Sequence, residues 1–319
     1  MKRWLDRLAA FARLGRFHFL ASGSLFYLLG VLIARYAGVA LRSRVFWVGW
    51  AAVIATELVT HFGNDYFDLA ADRANRTPTR FSGGSRVLVE GRLAPRVALI
   101  SSLICAALSV GLTLYLVLGL RTGPWTLPLV LLGLLATWSY SGPPLRLQHR
   151  GWGELMVAIG LPLVPLVGFY LQAGRLAWLP VLATLPLCGL MLALTLAIDF
   201  PDAAGDASAG KRTILVRLGG PRGAWLHNGA LALAYLAIPA VIRAGAPSLP
   251  MAALVLLAPL GVWQGYRFAR GDWLRPPAWN SLEFGTIMMT AGGVLLELVG
   301  FAWLIAARGE PILTVLGRL

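Results

Sequence analysis

The chain alternates long apolar runs with short polar connections. A run of about 17–25 apolar residues is enough to cross the hydrocarbon core of a bilayer as a helix. About nine runs qualify, at 17–38, 45–63, 97–120, 126–141, 154–172, 178–198, 225–243, 250–268 and 283–307. The pattern predicts an all-α, polytopic membrane protein made of one transmembrane domain over 1–319, with no second soluble domain, low-complexity tail or long linker. Residues 1–16 set Lys2, Arg3, Arg7, Arg13 and Arg16 among Trp4, Leu5, Leu8, Phe11 and Leu14. That spacing predicts a basic amphipathic helix lying on the membrane surface. The first run lacks a small-residue cleavage site, which predicts a retained anchor.

Two places break the apolar pattern in the same way. At the end of the second run stands His61-Phe62-Gly63-Asn64-Asp65-Tyr66-Phe67-Asp68-Leu69-Ala70-Ala71-Asp72. The spacing D-x-x-D-x-x-x-D returns 134 positions later as Asp199, Asp202 and Asp206, at the end of the sixth run. On an ideal helix the members of each triad fall within roughly 60° of one face. Two carboxylates 6 Å apart repel by about 3 kcal/mol at an effective dielectric near 20. Ionised triads of this kind call for cations. Oxygen-only clusters suit Mg²⁺, which takes one or two carboxylates together with substrate phosphates and water. Either triad alone would also suit a solvated helix end just outside the bilayer. Two at identical spacing argue for a shared chemistry.

Composition narrows the class further. With 58% hydrophobic and 13% charged residues, a soluble globular chain is excluded. The net charge of +14 raises the possibility of a nucleic-acid partner, but its distribution argues for topology instead. With nine spans, the side holding both triads carries 20 of the 28 Lys and Arg residues. The positive-inside rule predicts that this side faces the cytoplasm, where basic loops also meet anionic headgroups. Cys105 and Cys188 fall within runs and the four histidines are scattered, so neither a disulfide framework nor a zinc site is expected. Trp47, Trp125, Trp178 and Trp273 stand near run ends, as interfacial anchors do.

Further candidates flank the triads. Counted back from Asp65, His61 and Glu57 share the aspartate face within the second run, and ionisable groups inside a span are functional candidates. An ordinary interhelical hydrogen bond is the competing reading for each. The sixth run offers only Thr195 and Met191 at those positions. The connection 73–96 holds Arg73, Arg76, Arg80 and Arg86 before Val87, with Gly83-Gly84-Ser85 between. Arginines beside aspartates fit a diphosphate bridged through metal, and a loop of this length suits a lid. Connections 73–96 and 199–222 are therefore expected as active-site loops. Tyr140 stands at a membrane border, where a belt residue is the alternative. Lys211 and Arg212 follow the second triad, and Arg16 with His18 lies at the lip of the first run. Pro201 is expected to bend or end its helix.

These residues carry a resemblance. Asn64, Asp65, Asp68 and Asp72 match N-D-x-x-D-x-x-x-D, the first motif of the UbiA superfamily of intramembrane prenyltransferases. Asp202 and Asp206, followed by Gly210, Lys211 and Thr213, are similar to the second. Asn75-Arg76, Tyr140 and Gly151-x-Gly153-Glu154 also resemble the family pattern. Within the family, Asn64 to Asp68 and Ser82 to Leu88 look most like the MenA branch, which prenylates 1,4-dihydroxy-2-naphthoate in menaquinone synthesis. Asp199, where many of that branch have asparagine, is a departure. The resemblance implies a helical bundle with a central cavity open to the cytoplasmic side and Mg²⁺-dependent transfer of a polyprenyl group. The donor would be a polyprenyl diphosphate and the acceptor an aromatic ring. It implies catalytic roles for Asn64, Asp65, Asp68, Asp72, Asp202 and Asp206, and metal binding by the six aspartates. Arg16, Arg76, Arg86, Tyr140, Lys211, Arg212, His61 and Glu57 would bind substrate. Acceptors such as 4-hydroxybenzoate, homogentisate, glyceryl phosphate or a tetrapyrrole are the alternatives within the superfamily. A cation transporter is the alternative outside it, but cations beside the triads would compete with a transported ion.

Overall fold

The computed structural model describes residues 2–17 and 19–309, and among them there is no β-strand. His18 lies outside the described residues. The helices run in chain order as α1 (Lys2–Leu14), α2 (Leu20–Tyr36), α3 (Ser43–Phe67), α4 (Leu69–Ala74), α5 (Pro95–Leu114), α6 (Thr126–Ser141), α7 (Gly153–Gly160), α8 (Leu163–Ala173), α9 (Leu179–Ser208), α10 (Ile214–Leu218), α11 (Gly220–Arg243), α12 (Ser248–Ala253), α13 (Ala258–Ala269) and α14 (Pro276–Ala306). Seven stretches among the described residues are long and apolar enough to cross a membrane; α7–α8 and α12–α13 each count as one of them. The expected spans 17–38 and 126–141 correspond to α2 and α6, which have only 17 and 16 residues. At 1.5 Å per residue these are about 25 Å long, slightly short of the 30 Å hydrocarbon core.

Several boundaries differ from expectation for identifiable reasons. The fifth span is broken at Leu161-Pro162, where Pro162 precedes α8 and has no N–H to give to the preceding turn. The eighth is broken by a 3-10 turn over Leu254–Leu257. Pro201 neither ends nor interrupts α9, which carries the whole second triad and continues to Ser208. Gly205 meets the Asn75 backbone so closely that an added Cβ would lie 2.9 Å from Asn75 Cα. Residues 199–222, expected as a loop, are therefore mostly helical. Trp47, Trp125 and Trp178 are exposed in the manner of interfacial anchors. Trp273 instead packs against Phe200, with ring centroids 5.3 Å apart.

Interhelical contact rests on small residues, as it does where lipid supplies no hydrophobic drive. Gly30 of α2 and Gly168 of α8 lie against each other's backbones: a Cβ on Gly30 would sit 1.9 Å from the Pro165 carbonyl oxygen. One on Gly168 would sit 2.3 Å from that of Tyr27. The main core joins α2, α9, α11 and α14 around Phe26, Leu187, Ile238 and Phe301. A second core joins α2, α3 and α8 around Tyr27, Phe46 and Tyr170. Helix α1 lies outside the bundle. Its Ala10 and Leu14 are buried with Phe62, Val87 and Leu88, while Trp4, Leu5 and Leu8 stay exposed.

Candidate active site

The first triad spans the junction of α3 and α4. The junction keeps helical bonding, from Asp68 N to Asn64 O (2.8 Å) and from Asp72 N to Asp68 O (2.9 Å), so the three aspartates stay on neighbouring turns. The second triad comes from the last turns of α9. Three links tie the motifs together. Asn75 Nδ2 donates to Asp202 Oδ1 at 2.7 Å. The Gly83 N–H donates to Asp202 Oδ2 at 3.1 Å. Lys211 Nζ lies 2.7 Å from Asp68 Oδ2 and 3.4 Å from Asp206 Oδ1, bridging the triads directly.

Cations and loop donors fill the rest of the cluster. The Arg16 guanidinium pairs with the buried Asp65, which also accepts from the backbone N–H and hydroxyl of Ser85. The Arg86 side chain donates to the backbone carbonyl of Asp72. Arg16 and Arg86 both hold positive φ (45° and 66°), a conformation that costs a non-glycine residue energy and concentrates at functional sites. Gly83 and Gly84 take the same region at 75° and 72°, which glycine adopts freely. A Cβ on Gly84 would also collide with the Asp72 carboxylate, at 2.1 Å from Oδ2.

Sequence reasoning assigned no role to Gln148, yet it sits at the centre. With its oxygen facing Tyr140 and Lys211, its amide accepts from both (3.1 and 2.9 Å). It then donates to Asp68 Oδ2 and Asn64 Oδ1 at 3.0 and 3.1 Å. Asn64 Oδ1 also accepts from Ser141 Oγ at 2.6 Å. His149 Nε2 lies 3.6 Å from Asp68 Oδ1. The only sequence signal for Gln148 and His149 was polarity in a short turn between the diproline and Gly151.

The structure does not bring every candidate together. Asp199 lies a turn deeper, its carboxyl against that of Glu154 and close to Tyr140. Glu154 in turn accepts from the Ile214 N–H at 2.7 Å. Arg76 and Arg212 are exposed; the Arg212 backbone N–H donates to His149 O. Glu57 and His61 line a cavity of about 320 Å³ together with Tyr140, Phe26, Leu129 and Val167. His61 Nε2 is 3.9 Å from Glu57 Oε1, and both His61 Nε2 and Glu57 Oε2 lack a hydrogen-bond partner among the described residues.

The charges explain the protonation states. Burial opposes an ammonium at Lys211, but Asp68 and Asp206 outweigh it and hold its pKa well above the ordinary lysine value. Burial likewise opposes charge on Arg16, and Asp65 and Asp72 overcome it. Asp72 behaves oppositely: burial pushes its carboxyl up to about 8 in spite of Arg16. Burial also lowers the His149 pKa, against the pull of Asp68.

A hard divalent cation fits this donor set, though not as a closed cage. Asp68 Oδ1 and Asp206 Oδ2 are buried and lack a donor among the described residues, which leaves two carboxylate oxygens for a ligand. Among the described residues no three His, Cys, Asp or Glu side chains converge on one point. That suits a cation sharing its sphere between a few carboxylates and phosphate oxygens, the usual habit of Mg²⁺.

Residues 24–285 fit the model of the UbiA prenyltransferase family. The chain belongs to that family. Among relatives, it is 30% identical over 201 residues to the 1,4-dihydroxy-2-naphthoate octaprenyltransferase of Mycobacterium tuberculosis, covering 61% of this chain and 66% of that one. It is 32% identical over 192 residues to the digeranylgeranylglyceryl phosphate synthase of Natronomonas pharaonis, covering 59% and 63%. The matched stretches thus span slightly under two thirds of both relatives. The UbiA homologue from Archaeoglobus fulgidus, solved bound to GPP and Mg²⁺, superposes with a TM-score of 0.58 at 16% identity, covering 92% of this chain and 99% of that one. The shared fold is the UbiA bundle.

Proposed function

We propose that this UbiA member transfers a polyprenyl group from an allylic diphosphate to 1,4-dihydroxy-2-naphthoate within the membrane. The observation that carries the reading is the union of both acidic motifs with Lys211 and Arg16 in one cluster beside the cavity. The similarity to a 1,4-dihydroxy-2-naphthoate octaprenyltransferase supports the choice of acceptor. The concentration of Lys and Arg on the motif side supports a cytoplasm-facing site.

Each group has a role in the chemistry. Asp65, Asp68 and Asp72 with Asp202 and Asp206 would hold Mg²⁺, and Asp199 would support the second triad from one turn deeper. When bound, the metal neutralises charge growing on the leaving diphosphate. Lys211, Arg16 and Arg86 orient the diphosphate oxygens, and Arg76 and Arg212 raise the positive potential at the entrance. The allylic C–O bond breaks, the electron pair leaves with the diphosphate, and a ring carbon of the acceptor attacks the allyl cation. The ring regains aromaticity by releasing the group at that carbon, a proton or the carboxylate as CO₂. Gln148 fixes Tyr140, Asn64 and Lys211 relative to Asp68, so the cluster is preorganised before reaction. Glu57 and His61, both with a free polar atom facing the cavity, contact the hydroxyl-bearing ring. The apolar walls keep water from the cation.

A transport role fits less well, because Lys211 and Arg16 occupy positions a transported cation would need. The test is an assay of purified protein with labelled allylic diphosphate against a panel of acceptors. Labelled prenyl-naphthoate, formed only with divalent cation, is expected. Transfer to a glyceryl phosphate or 4-hydroxybenzoate with none to the naphthoate would overturn the acceptor and keep the reaction class.

A further inference from the structure

The connection 75–94 touches both acidic motifs, and something must hold it there. At its start three consecutive residues meet three residues of α14 that are 200 positions away in sequence. Thr79 Oγ1 donates to Glu283 Oε1 at 2.8 Å. The Arg80 N–H donates to Asn280 Oδ1 at 3.0 Å. The Phe81 ring stacks on Phe284 with centroids 6.4 Å apart. Residues 280, 283 and 284 are one turn of one helix face, so α14 presents a single edge to the loop.

Glu283 is the buried member of that edge, with 0% exposure at the start of a membrane-spanning helix. Its effect on the site passes through Thr79. A hydroxyl has one proton. With that proton given to Glu283, the Thr79 oxygen accepts the N–H groups of Phe81 (3.1 Å) and Ser82 (3.0 Å). This closes the turn 79–82 and fixes where the chain enters the two left-handed glycines. The next donors are those of the site itself: Gly83 N–H to Asp202, then Ser85 N–H and hydroxyl to Asp65. The path from Glu283 to both motifs is therefore an unbroken series of bonds.

We propose that Glu283 is a positioning residue that latches the loop onto α14 and so sets the Gly83–Ser85 donors against the two acidic motifs. Nothing in the catalytic reading requires it, since it touches neither the aspartates nor the cavity lining. The proposal rests on the diphosphate reading only for the kinetic arm of its test.

The kinetic arm compares Glu283→Leu with Glu283→Gln, which keeps an acceptor oxygen for Thr79. The leucine variant should raise the KM for the allylic diphosphate about tenfold while kcat changes much less, and the glutamine variant should restore most of that loss. General destabilisation would lower the active fraction without separating KM from kcat. The second arm needs no activity. Tryptic cleavage after the exposed Arg76 and Arg80 should be faster in Glu283→Leu than in wild type and near wild type in Glu283→Gln. Thr79→Val removes the same bond from the loop side, so it reads the latch if the leucine variant fails to fold. Where both fold, the double variant should be no worse than either single one. Wild-type cleavage in Thr79→Val, equal damage by Gln and Leu, or additive effects would overturn the latch. Absence of prenyl transfer in the wild type would overturn the functional reading and leave the cleavage arm to judge the latch.

Discussion

At the residue scale the aspartates are not equivalent, and their surroundings predict how each titrates and fails. Asp72 has a folded-state pKa of about 8 against 3.8 for the free side chain. Between these values the folded protein holds a proton that the unfolded chain has lost. Metal-free stability should therefore fall as pH rises from about 4 to about 8, where Asp72 ionises. A divalent cation needs the ionised carboxylate, so binding expels that proton. The half-saturating Mg²⁺ concentration should accordingly drop between pH 6 and pH 8, measured by activity and by metal-dependent thermal shift. A value independent of pH would remove Asp72 from the metal site. A second contrast lies within α9. Asp206 meets Lys211 at the bridge between the triads, whereas Asp199 meets Glu154. Asp206→Asn should cost about 100-fold or more in kcat, as loss of a preorganised electrostatic group does. Asp199→Asn should cost less than about tenfold at matched expression. Equal losses would place Asp199 on the metal after all.

At the element scale, stability depends on how closely helices approach, and glycines report this. Gly30→Ala would drive a Cβ into the Pro165 carbonyl, a backbone atom that cannot swing aside. An overpacked contact of this kind costs about 1–3 kcal/mol or more, so the unfolding midpoint in detergent should fall. Gly111→Ala on α5 has open space at its Cβ and serves as the control. It should be neutral or slightly stabilising, because alanine is the better helix former. A Gly30→Ala midpoint equal to wild type would show that α2 and α8 are less tightly seated. The same scale shows what could be read from the sequence. Apolar runs located the helices because bilayer thickness dictates their length, and the doubled aspartate spacing pointed to residues that the structure gathers into one cluster with Lys211. Runs did not reveal the breaks at Pro162 and at 254–257, because hydropathy reports the length of an apolar stretch and not its hydrogen-bond pattern. Nor did they show α9 passing through Pro201. Gln148 and Glu283 were missed for another reason: each acts through partners distant in sequence. An acid inside the ninth run was the one available hint for Glu283.

At the scale of the whole molecule, the distribution of charge predicts which way the polar end points. Both motifs, Lys211, Arg16 and the loop 75–94 lie at one end of the bundle, and the cavity runs from there along α3 between His61 and Val53. Arg13 of α1 clamps Glu90 at the same end, with Nη1–Oε2 and Nη2–Oε1 distances of 3.1 and 2.9 Å. The surface helix therefore shares a side with the site. The connections at the other end carry few basic residues, among them Arg175 between α8 and α9. Basic loops are retained on the cytoplasmic side during insertion, which predicts the motif end inside. Single cysteines introduced as Arg92→Cys and Arg175→Cys, with Cys105 and Cys188 replaced by alanine, test this directly, because both positions are exposed. A membrane-impermeant maleimide on intact cells should label position 175 and spare position 92 until the cells are opened. The reverse pattern would put the diphosphate site outside, where a soluble prenyl donor made in the cytoplasm could not reach it. That outcome would reject the proposed orientation and require the donor to arrive from within the bilayer.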